Sequence, residues 1–448
     1  MCRRAILVLF LGVLPFLGAV LAAQTTTDLR QVLERLDTLE TQNRSLLAEI
    51  RALRQEVAAS RGETPGENPP LEERVAVQER RIEEQAQAKV EASQRMPLQL
   101  TGMVLFNTFH NGRRSGESQY PIVAGARPNS SNAGASLRQT LIGFKYNGPE
   151  VFAGGKVSGS LMMDLFEQSS DASYQGIRLR TGSINIDWKT RSLMVGQDKP
   201  IIAPRDPSSL AQVGVSPLTG AGNLWLWQPQ IRFEQRIAFR DDMGARLQLG
   251  VYQTSETSAN PPSVFASTLE RSRPGFEGRF EVWRKFQGGR RIEIAPGFHV
   301  SNTHIVGVSV PSRAFSVDWL IQPFEKIEFS GAFYRGENLA NLGTIRQGFT
   351  ILGPGRAIAI RSAGGWAQLS YAATKRLTFN LFDGQHDDNA HDLRGNGIGK
   401  NQNYGANAIY RLAPNVLFSF EGSQVRTKYV SSGTRLNNHY DVALAYLF

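Results

Sequence analysis

The last strand-length segment of the chain puts Tyr440, Val442, Leu444, Tyr446 and Phe448 on one face and His439, Asp441, Ala443 and Ala445 on the other. A period of two marks β-structure. One face is oily with aromatic ends, and the other is small or polar. The same division recurs upstream. Ile231, Phe233, Ile237 and Phe239 alternate with Arg232, Glu234, Arg236 and Arg240; Phe276, Phe280 and Val282 alternate with Glu277, Arg279 and Glu281; Ile292, Ile294, Phe298 and Val300 alternate with Arg291, Glu293 and His299. Charge aimed at a dry core on this scale would be prohibitive without partners. A closed sheet with its apolar face in lipid and its polar face around water resolves the conflict.

Sixteen such segments are expected, near 98–109, 136–146, 151–166, 176–188, 191–198, 229–239, 244–254, 275–285, 290–301, 311–322, 325–335, 362–373, 375–384, 403–412, 414–427 and 438–448. The fourth loses its alternation around Thr181–Ser183, which predicts a bulge there. Brief links such as Asn147-Gly148-Pro149, Asp241-Asp242-Met243, Gln322-Pro323-Phe324 and Ala413-Pro414 alternate with long ones at 110–135, 199–228, 255–274, 336–361 and 385–402. Strict alternation of turns and loops is expected of an outer-membrane barrel with its turns in the periplasm. The even count returns the C-terminus to the side where the N-terminal region enters.

The link at 199–228 is too apolar to hang in water, with Ile201, Ile202, Leu224, Trp225, Leu226 and Trp227 beside Pro204, Pro207, Pro217, Gly220 and Gly222. Folded into the lumen, it would bury those residues and narrow the channel.

Ahead of the barrel the grammar is helical. Arg3 and Arg4, an apolar run from Ala5 to Leu21 and the small pair Ala22-Ala23 have the order of a secretory signal, residues 1–23. The single cysteine, Cys2, would leave with it, so no disulfide framework is expected. Within residues 24–61, Leu29, Leu36, Asn43, Ile50 and Val57 form one line of a heptad seam and Val32, Leu39, Leu46 and Leu53 the other. So narrow a seam predicts a periplasmic coiled coil, with Asn43 setting register. A Pro/Gly linker at 62–70 and a second helix at 71–95 follow, and residues 96–448 make the barrel. The fold class is therefore all-β, a 16-stranded antiparallel transmembrane β-barrel preceded by an α-helical coiled coil.

The aromatic terminal strand ending in Phe448, the sixteen-strand count and the long inserted loop introduced by Val195, Gly196 and Gln197 together resemble the sixteen-stranded bacterial porins. With a coiled coil ahead of the barrel, the layout is similar to the dicarboxylate-porin (DcaP-like) family. That resemblance implies a homotrimer in outer-membrane lipid and passive uptake of small anionic solutes.

Charge has to be located before it is interpreted. The whole chain has a pI near 9.8, which invites a nucleic-acid partner. Residues 1–95 hold 13 basic and 14 acidic side chains of the chain's 50 and 40, which leaves 37 and 26, an excess of eleven, to the barrel. Placed along a lumen, that excess selects anions, and no nucleic acid is expected. The expected pore and constriction residues are Lys199, Arg205, Asp206, Arg232, Arg236, Arg246, Arg279 and Arg291; Arg335 and Arg356 near loop bases suit lipid phosphates instead.

The run His386, Asp387, Asp388, Asn389, His391, Asp392 is metal-capable, but such runs are mostly solvated, and neither metal nor cofactor is expected. Gly395, Gly397 and Gly399 before Lys400 lack the Ser or Thr of a phosphate loop. No Ser and His pair is evident on one outer strand face, so no enzymatic activity is expected. The expected function is a diffusion channel for small hydrophilic anions. The alternative is an envelope tether, with the coiled coil holding a periplasmic envelope component and the barrel as its anchor.

Overall fold

The computed structural model describes residues 98–448 apart from 167–175 and 257–260, together with Ser45, Ala48 and Ile50, which are helical and exposed. The expected signal, linker, second helix and the rest of the heptad seam lie outside the described residues. The barrel belongs to a unit spanning Arg95–Phe448.

Nineteen strands are described. They are β1 (Leu98–Asn111), β2 (Asn132–Ser136), β3 (Leu141–Val151), β4 (Gly155–Asp164), β5 (Arg178–Asp187), β6 (Arg191–Asp198), β7 (Gln228–Arg240), β8 (Met243–Gln253), β9 (Pro274–Lys285) and β10 (Arg291–Ile305). There follow β11 (Val308–Phe324), β12 (Ile327–Glu337), β13 (Phe349–Gly353), β14 (Arg356–Ala359), β15 (Arg361–Ala372), β16 (Leu377–Asp388), β17 (Ile398–Ala413), β18 (Val416–Tyr429) and β19 (Gly433–Leu447). Every expected strand has its counterpart, and sixteen walls result. β2 and β3 pair with successive halves of β1, at Asn107–Asn111 and Leu98–Met103, and so form one interrupted wall strand. β13 and β14 pair only with each other, as a hairpin in the link from β12 to β15. The ring closes antiparallel between β1 and β19, from Met103 opposite Leu447 to Asn111 opposite His439.

Alternation sorts the side chains as the period requires. Tyr440, Val442, Leu444, Tyr446 and Phe448 are exposed on the outside, while His439, Asp441, Ala443 and Ala445 are buried inside. Ile231, Phe233, Phe276, Phe280, Phe298 and Val300 share the outer face. Exposed apolar side chains in a continuous belt require hydrocarbon, not water, as their solvent.

Three details depart from the sequence reading. The turn after the second wall strand is at Phe152–Gly154, because a register shift between Asn147 and Glu150 absorbs Gly148 and Pro149 into β3. Turns and loops do not alternate strictly, since β10 and β11 are joined on the loop side by Val306 and Gly307 alone, both at positive φ. The expected bulge lies at Arg180, where Met162 faces Thr181 and Met163 faces Leu179.

Candidate functional site

The inserted loop runs from Lys199 to Trp227, since Gln228 already belongs to β7. It folds into the lumen and seats on three apolar footings. Ile202 and Leu224 pack with Ala314, Tyr334, Leu339 and Leu342; Leu218 packs with Ala332, Trp366 and Phe382; Leu210 packs with Met103, Leu105, Ala443 and Ala445. Each such burial stabilises by about 1.5–3 kcal/mol, enough to hold the loop inside.

Polar anchors fall between the footings. The Ile201 N–H donates to Glu277 at 2.5 Å, the Ser208 N–H to Gln368 at 2.7 Å, and Ser209 Oγ to Glu421 at 2.6 Å. Asn107 Nδ2 donates to the Leu210 carbonyl at 2.8 Å and Asn401 Nδ2 to that of Gly220 at 2.9 Å. The break between β2 and β3 aims Gln139 at the loop, where its Oε1 accepts the N–H groups of Val213 and Gly214 and its Nε2 donates to the Ala211 carbonyl. The lost ladder bond is replaced by the Leu105 N–H donating to Thr140 Oγ1. Within the loop, Asp206 accepts from Ser216 Oγ at 2.6 Å and Asn223 Nδ2 at 3.0 Å and pairs with Lys199.

Two arginine-bearing sectors line this constricted lumen. On β7–β11 the charges interlock. Arg279 is fully buried and clasps Asp318 through Nε at 2.6 Å and Nη2 at 2.8 Å, while Nη2 also reaches Glu281 at 2.7 Å. Arg246 joins Glu281 at 2.6 Å and Glu234 at 3.7 Å, and Arg236 joins Glu234 at 2.9 Å. Arg205 comes from the loop to Glu293 at 2.5 Å and Asp318 at 3.2 Å, and Arg291 meets Glu293 at 3.5 Å. Arg232 pairs with Asp198 at 3.1 Å.

On β4 and β5 the balance differs. Asp164 receives both Arg178, at 3.1 and 2.6 Å, and Arg180, at 3.1 Å. Arg180 also donates to the Val213 carbonyl at 2.6 Å, and Arg178 to that of Gly214. Trp227 lies under both guanidiniums, 5.2 Å from Arg178 and 4.5 Å from Arg180, and Arg138 sits 4.6 Å over Phe166. Such cation–π contacts hold a guanidinium in place without neutralising it. Among the described residues, Arg178 and Arg180 thus share one carboxylate.

A Ser and His pair does converge, inside the wall rather than on its outer face. His299 Nε2 lies 3.1 Å from Ser312 Oγ and 3.2 Å from Ser301 Oγ, with Nδ1 3.1 Å from Glu277. His299 and Ser312 have no exposed surface and Glu277 holds the loop, so the group serves as a polar core. The run at 386–392 is likewise occupied: His386 bridges Tyr334 and Asp388, and Asp392 takes Arg361. Above the wall, burial pushes the Glu256 carboxyl up, against a hydrogen bond from Thr303.

The architecture is similar to that of solved membrane channels. The outer membrane channel DcaP of Acinetobacter baumannii matches over 78% of this chain and 97% of its own, with a TM-score of 0.61 at 14% identity. An anion-selective porin from Comamonas acidovorans matches over 78% and 99%, at 0.53 and 12%. OprB of Pseudomonas putida matches over 79% and 94%, at 0.51 and 8%. No family model and no curated protein matches the sequence. The chain has the sixteen-stranded porin fold.

Within this porin fold, all eight expected pore residues sit on the lumenal side or on the inserted loop. The structure gathers Arg205, Arg232, Arg236, Arg246, Arg279 and Arg291 on one side, each paired with an acid, and Lys199 with Asp206. Sequence reasoning missed Arg138, Asp164, Arg178 and Arg180. The slipped alternation of the fourth strand marked the place, since the bulge at Arg180 is what brings both β5 guanidiniums to Asp164.

Proposed function

We propose that this chain is an outer-membrane porin for passive diffusion of small hydrophilic anions, narrowed by its inserted loop and working as a homotrimer. The observation that supports the anion preference is the convergence of Arg178 and Arg180 on the carboxylate of Asp164, the acid they share among the described residues, beside the loop. Low-dielectric walls focus the field of such a pair of guanidiniums along the pore and deplete cations. The eight pore residues contribute in a different way: their charges are largely cancelled, so they shape the passage and fix the loop. The outward aromatic strand ending in Phe448 serves barrel assembly, and the coiled coil of residues 24–61 stands in the periplasm and favours trimerisation. Planar-bilayer recording of the purified full chain in a salt gradient tests the reading. The expected reversal potential has the sign of anion preference; a cation-selective channel would sink the electrostatic half, and absence of conductance the whole.

A further inference from the structure

The inner wall is open to water on one side and closed on the other. Along β4–β8, the side chains of Arg178, Asp198 and Arg246 stay 26%, 33% and 32% accessible. Along β15–β19, Gln368, Asn380, Asn401, Asn407, Glu421 and Asp441 keep at most 4%. The inserted loop covers part of that sector, through Ser208 on Gln368 and Ser209 on Glu421. A second segment lies over it as well, the link between β1 and β2 at residues 112–131.

This link folds back over the loop ends of β17–β19 and is tied down there. The Arg114 guanidinium holds it together, donating to the Gly125 and Ala126 carbonyls at 2.8 Å. The Ala124 N–H donates to Thr427 Oγ1 at 2.8 Å, and the Ala124 carbonyl accepts from Tyr429 Oη at 3.0 Å. Tyr120 packs edge-on to His439, with ring centroids 4.5 Å apart. Asn401 joins the link to the inserted loop. Its Nδ2 donates to the Ile122 carbonyl at 2.8 Å and to the Gly220 carbonyl at 2.9 Å, while its Oδ1 accepts from Thr427 Oγ1 at 2.6 Å. One buried amide thus spends both its donors on two different loops.

Beneath them lies a pair of carboxylates. Glu421 and Asp441 stand opposite each other on β18 and β19 and are buried. Their hydrogen-bond partners among the described residues are neutral, Ser209 and Asn407 for Glu421 and Asn107 for Asp441. Burial, and then the charge of Glu421, push the Tyr120 phenol up, so the ring covers the pair as a neutral group. Lining a water-filled passage, two carboxylates with neutral partners would attract cations and offset the field of Arg178 and Arg180.

We propose that the link at 112–131 is a second lumenal loop, clasped to the first by Asn401, and that the two together seal β15–β19 and screen Glu421 and Asp441 from the solute. Passage is left along β4–β8, past Arg178 and Arg180. Asn401 is then a positioning residue for selectivity, acting through the loops it holds. The selectivity half of this inference rests on the diffusion-channel reading above, whereas the seal is measurable without any conductance.

The test uses the full chain with Cys2→Ser and one further cysteine, either Thr181→Cys beside Arg180 in the open sector or Ser423→Cys opposite His439 in the sealed one. The folded protein is treated with small anionic and cationic methanethiosulfonates, and labelling is followed by mass. Thr181→Cys should react several-fold faster than Ser423→Cys with both reagents; equal rates overturn the proposal. Adding Asn401→Leu should bring Ser423→Cys up to the Thr181→Cys rate and raise conductance. It should also lower the anion-to-cation permeability ratio roughly twofold, as two carboxylates join the passage. Thr427→Val keeps the side-chain shape and removes the hydroxyl that Ala124 and Asn401 share, so it should act in the same direction and serves if Asn401→Leu fails to fold, as checked by heat-modifiable migration. Unchanged selectivity in the folded variants overturns the screening of the acids. A labelling contrast in a chain that conducts no current would refute the channel and leave the seal, whereas conductance with equal labelling refutes the seal alone.

Discussion

The two arginine sectors of the lumen are built from the same residue type and act differently. On β7–β11 and the loop root, Lys199, Arg205, Arg232, Arg236, Arg246, Arg279 and Arg291 meet Asp198, Asp206, Glu234, Glu281, Glu293 and Asp318, so seven bases face six acids and the field nearly cancels. On β4–β5, Arg178 and Arg180 converge on Asp164, the acid they share among the described residues. The first sector is a mechanical lattice that holds the loop. The second, in the function proposed above, is the source of field. An arginine in a pore wall therefore says little about selectivity until its partners are known.

The largest expected effect breaks the lattice. Arg279→Met leaves Asp318 and Glu281 buried with their central cation gone, and losing one partner of such a group costs roughly 3–5 kcal/mol. The thermal unfolding midpoint of the barrel should fall while the sign of its selectivity stays the same. Gly222→Val comes next. Gly222 has φ of +100° and lies against the Gly365 carbonyl, so a side chain there is both strained and obstructed. A cost of about 1–3 kcal/mol in loop seating is expected, read as increased or noisier single-channel conductance.

Removing the clustered arginines strikes the other sector. Arg178→Ala with Arg180→Ala should reduce the anion-to-cation permeability ratio about fivefold, equivalent to roughly 1 kcal/mol. The reversal potential measures it. If the double variant leaves selectivity unchanged, the field comes from elsewhere in the barrel.

How far the sequence led differs between these parts. The wall was legible because its period is local: Phe276, Phe280 and Val282 reveal an outer face without reference to any other strand. The loop's descent was legible from Ile201, Ile202 and Leu224, whose burial could happen only inside. Partnership was not legible, because Arg279 and Asp318 are 39 positions apart and meet across two strand boundaries. Nor was the split of the second wall strand, which exists to serve Gln139 and its contacts with a loop over 70 residues away. Periodicity reports which way a side chain points, and pairing depends on register and on the loop that arrives from across the lumen.

The smallest effect sharpens the contrast most. Arg232 and Asp198 form a partly exposed pair at the loop root, with side chains 22% and 33% accessible. Exposed pairs of this kind contribute about 0–1 kcal/mol, so Arg232→Gln should barely move the unfolding midpoint. It removes one positive charge from a nearly balanced set and leaves Asp198 at the root of the loop, so anion preference should decline by less than about twofold, well under 0.5 kcal/mol. The informative number is its ratio to the Arg178/Arg180 double variant, measured in the same salt gradient. Per charge removed, a lattice arginine should count for less than a clustered one, and equal effects would mean that the two sectors act alike after all.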